Sequence, residues 1–172
     1  MKITVTAGRG EGNTTLSAFD TALKDAGIYN YNIIKLSSVI PPESRIVVRK
    51  WRNAPTEHGK KLYTVLADIR SDLLGRSIAA GIGWYQIKDG RGVFAEHTDM
   101  IESLNAKEAE SNVAKKIETT IRDLCANRGY PFNKRNFKKV ISSAEVKKKP
   151  TCTIVAAVYQ AEGFEGNTPT IG

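Results

Sequence analysis

Apolar and polar residues alternate along much of this chain, and the alternation predicts a protein built mainly from short strands. The sequence Lys-Asp-Gly at 88–90 joins two of these strands as a hairpin, because Asp-Gly favours a tight turn. The strands are expected at residues 2–7, 31–40, 45–51, 61–70, 76–85, 91–98, 136–146 and 151–160.

The first of two predicted helices follows a glycine-rich stretch, residues 8–12, which we expect to be a flexible loop. Thr14 or Thr15 can cap the helix, and Gly27 ends it, since glycine readily adopts the left-handed conformation of a helix C-terminus. Asp20 lies at the edge of the apolar stripe, an unusual place for a carboxylate. The stripe is expected to comprise Leu16, Phe19, Leu23 and Ala26.

The second predicted helix begins at Asn105, which forms a capping box with Glu108, and it stops at Gly129. Its buried stripe is expected to comprise Val113, Ile117, Ile121 and Leu124. Runs of strands with only two helices favour an α+β fold, or a layered α/β sandwich, over a doubly wound parallel sheet. We predict a single domain over residues 1–160, followed by a loose, Gly-rich, polar tail at 161–172.

Composition narrows the function classes only a little. The chain has 172 residues, which is enough for one sizeable core, and a net charge of +8. Lys and Arg cluster at 45–52, 134–139 and 147–149. A solvated basic surface is the preferred interpretation over nucleic-acid binding, because no nucleic-acid motif accompanies the charge. Neither a signal peptide nor a membrane-spanning run is visible, so we expect a cytoplasmic protein without a membrane partner.

Several common kinds of site are poorly supported. The glycine-rich stretch lacks the Gly-Lys-Ser/Thr ending of a phosphate-binding loop and the third glycine of a dinucleotide fingerprint. No Gly-x-Ser-x-Gly elbow of a hydrolase is present. No metal site is predicted, because the candidate ligands have no ligand spacing. Those candidates are His58, His97, Cys125 and Cys152, and the two cysteines provide no disulfide framework.

Two polar features interrupt apolar strand sequence. The adjacent serines Ser37 and Ser38 lie between Leu36 and Val39-Ile40, and two prolines follow. By themselves the serines are typical of a sheet edge at which the prolines end a strand. Glu96 follows an apolar run and is either a solvent-facing carboxylate or an acid in an apolar pocket with a raised pKa. The residues alone favour the solvent-facing interpretation.

The order of these motifs resembles the pyruvoyl-dependent arginine decarboxylases. The resemblance is dense over the first quarter of the chain, through Ala-Gly at 7–8, Glu-Gly at 11–12, Leu-Ser-Ala-Phe-Asp-Thr-Ala-Leu at 16–23, Ala-Gly-Ile at 26–28 and Asn-Ile-Ile-Lys-Leu-Ser-Ser-Val-Ile-Pro-Pro at 32–42. It continues more thinly through 75–82, 92–96, the helix from Ala106, and 152–159. A Ser-Ser-x-x-Pro-Pro run is weak alone but specific together with Ala-Phe-Asp, Asn32 and Glu96 in this order.

The resemblance implies that the bond between Ser37 and Ser38 is a self-processing site. The Ser38 hydroxyl would attack the Ser37 carbonyl, and elimination from the resulting ester would leave a covalent pyruvoyl group at residue 38. Residue 38 therefore needs a β-oxygen that first attacks and then leaves, whereas Ser37 contributes only its carbonyl. The mature protein would have a short chain, 1–37, and a long chain, 38–172.

The same resemblance implies an activity and further site residues. The pyruvoyl group would form a Schiff base with L-arginine, which loses carbon dioxide and becomes agmatine. Glu96 corresponds to the family's proton donor, Asp20 to the carboxylate that binds the guanidinium group, and Asn32 to an asparagine that assists processing. Family members are sandwiches of β-sheets flanked by helices, and they assemble as trimers with active sites between neighbours.

Two alternatives stay open at this point. Asp20 favours a cationic substrate but does not separate arginine from another cationic amino acid. A non-processing relative could instead bind a partner or nucleic acid through its basic surface, and cleavage between Ser37 and Ser38 distinguishes the two classes. The chain also departs from the family pattern in its basic segment 45–61 and at His97, which could tune proton transfer beside Glu96.

Overall fold

A computed structural model describes residues 1–164 and arranges two helices and two sheets in four layers. The elements are β1 (Lys2–Glu11), α1 (Thr15–Ala26), β2 (Asn32–Lys35), β3 (Val39–Ile40), β4 (Arg45–Val48), β5 (Lys61–Ser71), β6 (Arg76–Gln86), β7 (Gly92–Ile101), α2 (Ala106–Ala126), β8 (Lys138–Val146) and β9 (Thr151–Glu162). One sheet has the order β2-β5-β9-β1-β4 and the other β3-β7-β6-β8. The predicted sandwich of sheets flanked by helices is confirmed.

Three apolar clusters hold the four layers together. The inner cluster lies between the sheets and includes Ile3 and Val5 of β1, Ile82 of β6 and Phe94 of β7. A second cluster packs α1 on the outer face of the five-stranded sheet, and a third packs α2 on the outer face of the four-stranded sheet. Each strand of the sheet interior therefore buries side chains on both faces, which explains why alternation weakens in β6 and β9.

The predicted strand at 31–40 is wrong as a single element, because the structure divides it between the two sheets. β2 pairs in parallel with β5, and the Leu36 N–H still donates to the Thr64 carbonyl of that strand. β3 pairs antiparallel with β7 in the other sheet. Ser37 and Ser38 lie between them, so the chain crosses from one sheet to the other at the serine pair.

The predicted glycine-rich loop is also corrected, since β1 continues to Glu11. A Cβ atom on Gly8 would lie 2.2 Å from the Ala22 carbonyl oxygen, and one on Gly10 would lie 2.5 Å from the Ala22 nitrogen. These glycines therefore let α1 approach the strand backbone closely. Such an approach leaves room for small residues on the helix, and its buried face comprises Ala18, Ala22, Leu23 and Ala26.

The stripe predicted for α1 is accordingly wrong at Leu16, whereas Phe19 is partly buried and packs against the edge of the second cluster. Leu16 is 67% exposed, and Phe19 is half-buried beneath the guanidinium group of Arg70, 3.6 Å from the ring centroid. The predicted caps are confirmed: the Thr14 side chain accepts from the Ser17 N–H, and Gly27 adopts a φ of 81°.

The stripe predicted for α2 is confirmed at Val113, Ile117 and Ile121, but Cys125 takes the buried position expected for Leu124. Asn105 caps this helix by accepting from the Glu108 N–H. At the C-terminal end, β9 extends to Glu162, two residues beyond its predicted end. Most of the predicted tail, residues 165–172, lies outside the described residues.

We expect Gly8→Ala to lower the free energy of unfolding by about 1–3 kcal/mol, because the added methyl group overlaps the backbone of α1. Urea denaturation of the two proteins measures the difference. Gly163→Ala is the matched control, since a Cβ atom there meets nothing within 4 Å, and it should change the stability by less than about 0.5 kcal/mol. Equal stability of the Gly8 variant and the wild type would contradict the close-packing argument.

Candidate active site

Ser37 and Ser38 are held by main-chain hydrogen bonds at the crossing between the sheets. The Val39 N–H donates to the Ser37 carbonyl oxygen at 2.8 Å, which makes a tight three-residue turn centred on Ser38. The Phe94 N–H of β7 donates to the Ser38 carbonyl oxygen, also at 2.8 Å. The carbonyl groups of Ser37 and Ser38 are therefore both bonded to main-chain N–H donors.

Glu96 meets the serine pair from the neighbouring strand. The Ser38 hydroxyl donates to Glu96 Oε2 at 2.6 Å, a short distance typical of a hydroxyl bound to a carboxylate. The register of β7 places Glu96 two residues after Phe94, so both side chains lie on the same face of the strand. The fold thus brings a nucleophile and an acceptor for its proton together across 58 residues of sequence.

A cavity of about 370 Å³ opens at this point between β3, β7 and the end of α2. Its walls include the two serines and Glu96, together with Thr120 and Leu124 of α2. Glu96 is exposed in the single chain, so the apolar pocket considered for it is not formed by this chain alone. Arg128, just beyond α2, adds a cationic group at the rim.

A somewhat larger cavity, about 420 Å³, opens where β1 and β4 face β8. The Lys50 ammonium group there is fully engaged: it donates to the Ala7 carbonyl and to both the carbonyl and the carboxylate of Asp25. Lys50 and the Arg9 N–H lower the pKa of Asp25 against the opposing effect of partial burial, which is the largest single influence. This arrangement is typical of a structural ion pair.

Comparison with known proteins identifies the family of this chain. A family model described as pyruvoyl-dependent arginine decarboxylase matches residues 2–163. The chain belongs to the pyruvoyl-dependent arginine decarboxylase family. The resemblance predicted from the motifs is thereby confirmed.

Curated members of the family cover nearly the full length of the chain. The pyruvoyl-dependent arginine decarboxylase of Pyrococcus horikoshii is 35% identical over 159 residues, which span 91% of this chain and 93% of that protein. The protein of the same name from Pyrococcus furiosus is 36% identical over 159 residues, with the same two coverages. That from Thermococcus kodakarensis is 36% identical over 153 residues, or 88% of this chain and 90% of the relative.

The residues at the crossing fit the pyruvoyl group that gives the family its name. A pyruvoyl group consists of a ketone joined to an amide carbonyl, and it can be made from a serine whose amino group is released. Ser38 would supply the carbon skeleton, and its carbonyl oxygen accepts from the Phe94 N–H. The Ser38 Oγ atom, which would leave, faces Glu96 Oε2 and is not enclosed in the core.

Asn32 and Asp20 do not join this cluster within the chain. The Asn32 amide group, on β2, donates to the Gly59 carbonyl at 2.6 Å. Asp20 is exposed on α1, which covers the outer face of the five-stranded sheet, on the far side of that sheet from β3 and β7. Their predicted roles in processing and substrate binding stay predictions. The structure brings together Ser37, Ser38 and Glu96.

His97 lies on the opposite face of β7 from Glu96, toward α2. Its Nε2 atom is 2.7 Å from the Thr120 hydroxyl. Burial is the main cause that lowers the pKa of His97, and the charge of Lys116 adds to it while Glu96 opposes it. The lowered pKa favours the neutral imidazole, which joins β7 to α2 in the wall of the cavity. The expected influence of His97 on proton transfer stays a prediction.

Tyr159 lies beside the serine pair, and the sequence analysis included it in a matched segment without singling it out. Its hydroxyl donates to the Val39 carbonyl at 2.7 Å, and its ring lies edge-on to Phe94 with centroids 6.3 Å apart. Burial, followed by the negative charge of Glu96, raises the pKa of Tyr159. The available signal was its place in β9, where Tyr159 follows Val155 and Ala157 on the face directed between the sheets.

Two further observations concern the part of the chain that the structure describes. Within residues 1–164 there is no cluster of three or more His, Cys, Asp or Glu side chains that could hold a metal ion. None of the described helices is long and apolar enough to cross a membrane.

Proposed function

We propose that this protein is a self-processing decarboxylase that converts L-arginine to agmatine and carbon dioxide. The observation that carries the proposal is the 2.6 Å hydrogen bond from the Ser38 hydroxyl to Glu96, at a serine pair positioned by main-chain donors. Family membership supports arginine as the substrate. The product of processing is a short chain, 1–37, and a long chain, 38–172, with the pyruvoyl group at its first residue.

Glu96 acts first as a base in the processing reaction. It takes the proton from the Ser38 hydroxyl as Oγ attacks the Ser37 carbonyl carbon, and the Ser37–Ser38 amide bond breaks to leave an ester. The Val39 N–H stabilises the negative charge that develops on the Ser37 oxygen during this attack. Loss of the Cα proton of residue 38 then expels the Ser37 carboxylate, and hydrolysis of the resulting enamine releases ammonia and leaves the ketone.

The same groups serve the decarboxylation. The pyruvoyl group supplies a ketone that captures the substrate's amino group and a carbonyl that withdraws electrons as carbon dioxide leaves. The Phe94 N–H donates to the carbonyl oxygen of residue 38. Negative charge develops on this oxygen as carbon dioxide leaves, and the N–H stabilises it. Glu96, already within hydrogen-bonding distance of residue 38, returns a proton to the substrate's α-carbon.

The guanidinium group requires a second carboxylate that the single chain does not place at the cavity. Glu96 is committed to proton transfer, and Arg128 at the rim would repel a cationic side chain. We assign the role to Asp20 of a neighbouring protomer in a homotrimer. Its exposure on α1 supports this assignment, as does the 52% exposure of Val39 beside the cavity, an apolar surface that a neighbour would cover.

Asp20 would also bind another cationic amino acid, so the choice of arginine as the substrate is based on family membership and not on the geometry of the site. A cytoplasmic location stays a prediction. The non-processing interpretation is not favoured, because the hydrogen bond between Ser38 and Glu96 and the family assignment both support catalysis.

Ser38→Ala removes the attacking oxygen, so the purified variant should show one uncleaved mass and no decarboxylase activity. Ser37→Ala is the matched control, since only the carbonyl of residue 37 reacts, and it should still give two fragments that meet at residues 37 and 38. Intact mass under denaturing conditions distinguishes these results. Cleavage of the Ser38 variant would overturn the mechanism, and a wild-type chain that stays uncleaved would overturn the proposed function.

Glu96→Gln keeps the shape of the side chain but removes the base, so cleavage should slow by about 10²-fold or more. The measurement is the half-time of precursor cleavage at neutral pH. Glu102→Gln provides the control, because Glu102 is a highly exposed partner of Arg76 and its loss should leave the half-time unchanged. A wild-type half-time in the Glu96 variant would remove Glu96 from the processing step.

A shared active site predicts complementation between two variants with different defects. Ser38→Ala cannot form the pyruvoyl group, and Asp20→Ala should lose affinity for arginine, with a KM raised by about tenfold or more. Trimers assembled from a mixture of the two unfolded variants should recover activity at low arginine concentration, because some sites combine an intact residue 38 with an intact Asp20. No recovery in mixed trimers would show that Asp20 does not act across a subunit boundary.

A further inference from the structure

The segment that follows the Ser37–Ser38 bond is short, and it is held by the pairing of β3 with β7 and by the buried side chain of Ile40. β3 comprises only Val39–Ile40, and Pro41 and Pro42 behind it have no N–H groups to donate. Cleavage would turn residue 38 into a chain end, and chain ends fray unless they are tied down. The reactive group must nevertheless stay directed at Glu96 in every turnover, so something has to hold this end of the chain.

Tyr159 provides an anchor from the opposite sheet. It projects from β9, which is paired on both sides by β5 and β1, and its hydroxyl reaches across the sandwich to the Val39 carbonyl at 2.7 Å. The ring packs edge-on against Phe94, whose N–H holds the Ser38 carbonyl. Two successive carbonyl groups, those of residues 38 and 39, are thus fixed by one packed pair of aromatic residues.

The hydroxyl of Tyr159 is a dependable donor. A tyrosine gives a hydrogen bond to a carbonyl only while it is protonated, and both burial and the nearby charge of Glu96 raise its pKa above the ordinary value. The bond therefore persists across the whole pH range in which a decarboxylase would work. Within residues 1–164 the Tyr159 hydroxyl donates to the Val39 carbonyl, and the Ser38 hydroxyl donates to Glu96. The phenol therefore acts on the position of the main chain and not on the Ser38 hydroxyl itself.

We propose that Tyr159 is a positioning residue whose hydroxyl clamps the Val39 carbonyl and thereby holds residue 38 against Glu96, both before and after the chain is cut. The inference rests on the proposed self-processing function. Loss of a hydrogen bond of ordinary net strength, about 1 kcal/mol, corresponds to a rate effect of about fivefold. We expect at least that reduction in the rate of cleavage when the hydroxyl is removed.

Tyr159→Phe tests the proposal, because it removes the hydroxyl and keeps the ring that packs on Phe94. Tyr85→Phe is the control: its hydroxyl also donates to a main-chain carbonyl, that of Pro131, and accepts from the Asn133 N–H, on the side of the sheet toward α2. Both variants should lose thermal stability, and Tyr85→Phe at least as much as Tyr159→Phe. Only Tyr159→Phe should lengthen the half-time of precursor cleavage, by about fivefold or more, as measured by intact mass.

A second measurement does not depend on cleavage. In the uncleavable Ser38→Ala background, hydrogen exchange at the amides of residues 39 and 40 is followed in a longer peptide covering residues 34–42, because Pro41 and Pro42 carry no amide hydrogen. Their exchange should speed up about fivefold when Tyr159→Phe is added, and not when Tyr85→Phe is added. Exchange that is unchanged by Tyr159→Phe overturns the clamp, as does a wild-type half-time of cleavage in that variant. A wild-type protein that never cleaves is a different result, since it overturns the proposed function itself and is visible without any Tyr159 variant.

Discussion

The geometry of this site depends on one constraint, which is that β2 and β3 belong to different sheets. The chain leaves the five-stranded sheet after Leu36 and joins the four-stranded sheet at Val39, so the peptide bond between Ser37 and Ser38 lies in the gap between two layers. A bond inside a continuous strand would have its carbonyl and N–H groups committed to neighbouring strands. At the crossing, a short turn and one N–H from β7 replace that ladder, and the Ser38 side chain is free to face Glu96.

The outer layers make this crossing rigid. Glycines at 8 and 10 bring the backbone of β1 against Ala22 of α1, and the small face of that helix packs directly on the five-stranded sheet. β9 runs through the centre of that sheet and carries Tyr159 to the crossing. On the other side, α2 packs against β7, and His97 lies within hydrogen-bonding distance of Thr120 in the wall of the cavity. The strand that carries Glu96 is therefore supported from both faces.

The single chain brings together the residues proposed to react, but it places no carboxylate beside them for the guanidinium group. Glu96 is exposed, and a cationic Arg128 lies at the rim, while Asp20 lies on the far side of the five-stranded sheet. This division is consistent with a difference between bond cleavage and substrate recognition in how closely the groups must be placed. The proposed cleavage of the Ser37–Ser38 bond needs reacting groups within about 3 Å of one another, and one chain brings the Ser38 hydroxyl and Glu96 that close. Recognition of the far end of an amino acid can be supplied by a neighbouring protomer.

Sequence alone determined the features that depend on local order: the caps at Thr14, Gly27 and Asn105, the apolar stripe of α2, most strands, and the motif that identifies the serine pair and Glu96. Only the tertiary structure divided the strand at 31–40, made the glycine-rich stretch part of β1, and exposed Leu16. It also placed Glu96 beside the Ser38 hydroxyl and the Tyr159 hydroxyl against the Val39 carbonyl. The reason is physical. Periodicity and capping arise from interactions within a few residues, whereas strand pairing and side-chain contacts across 58 and 120 residues arise only when the layers pack.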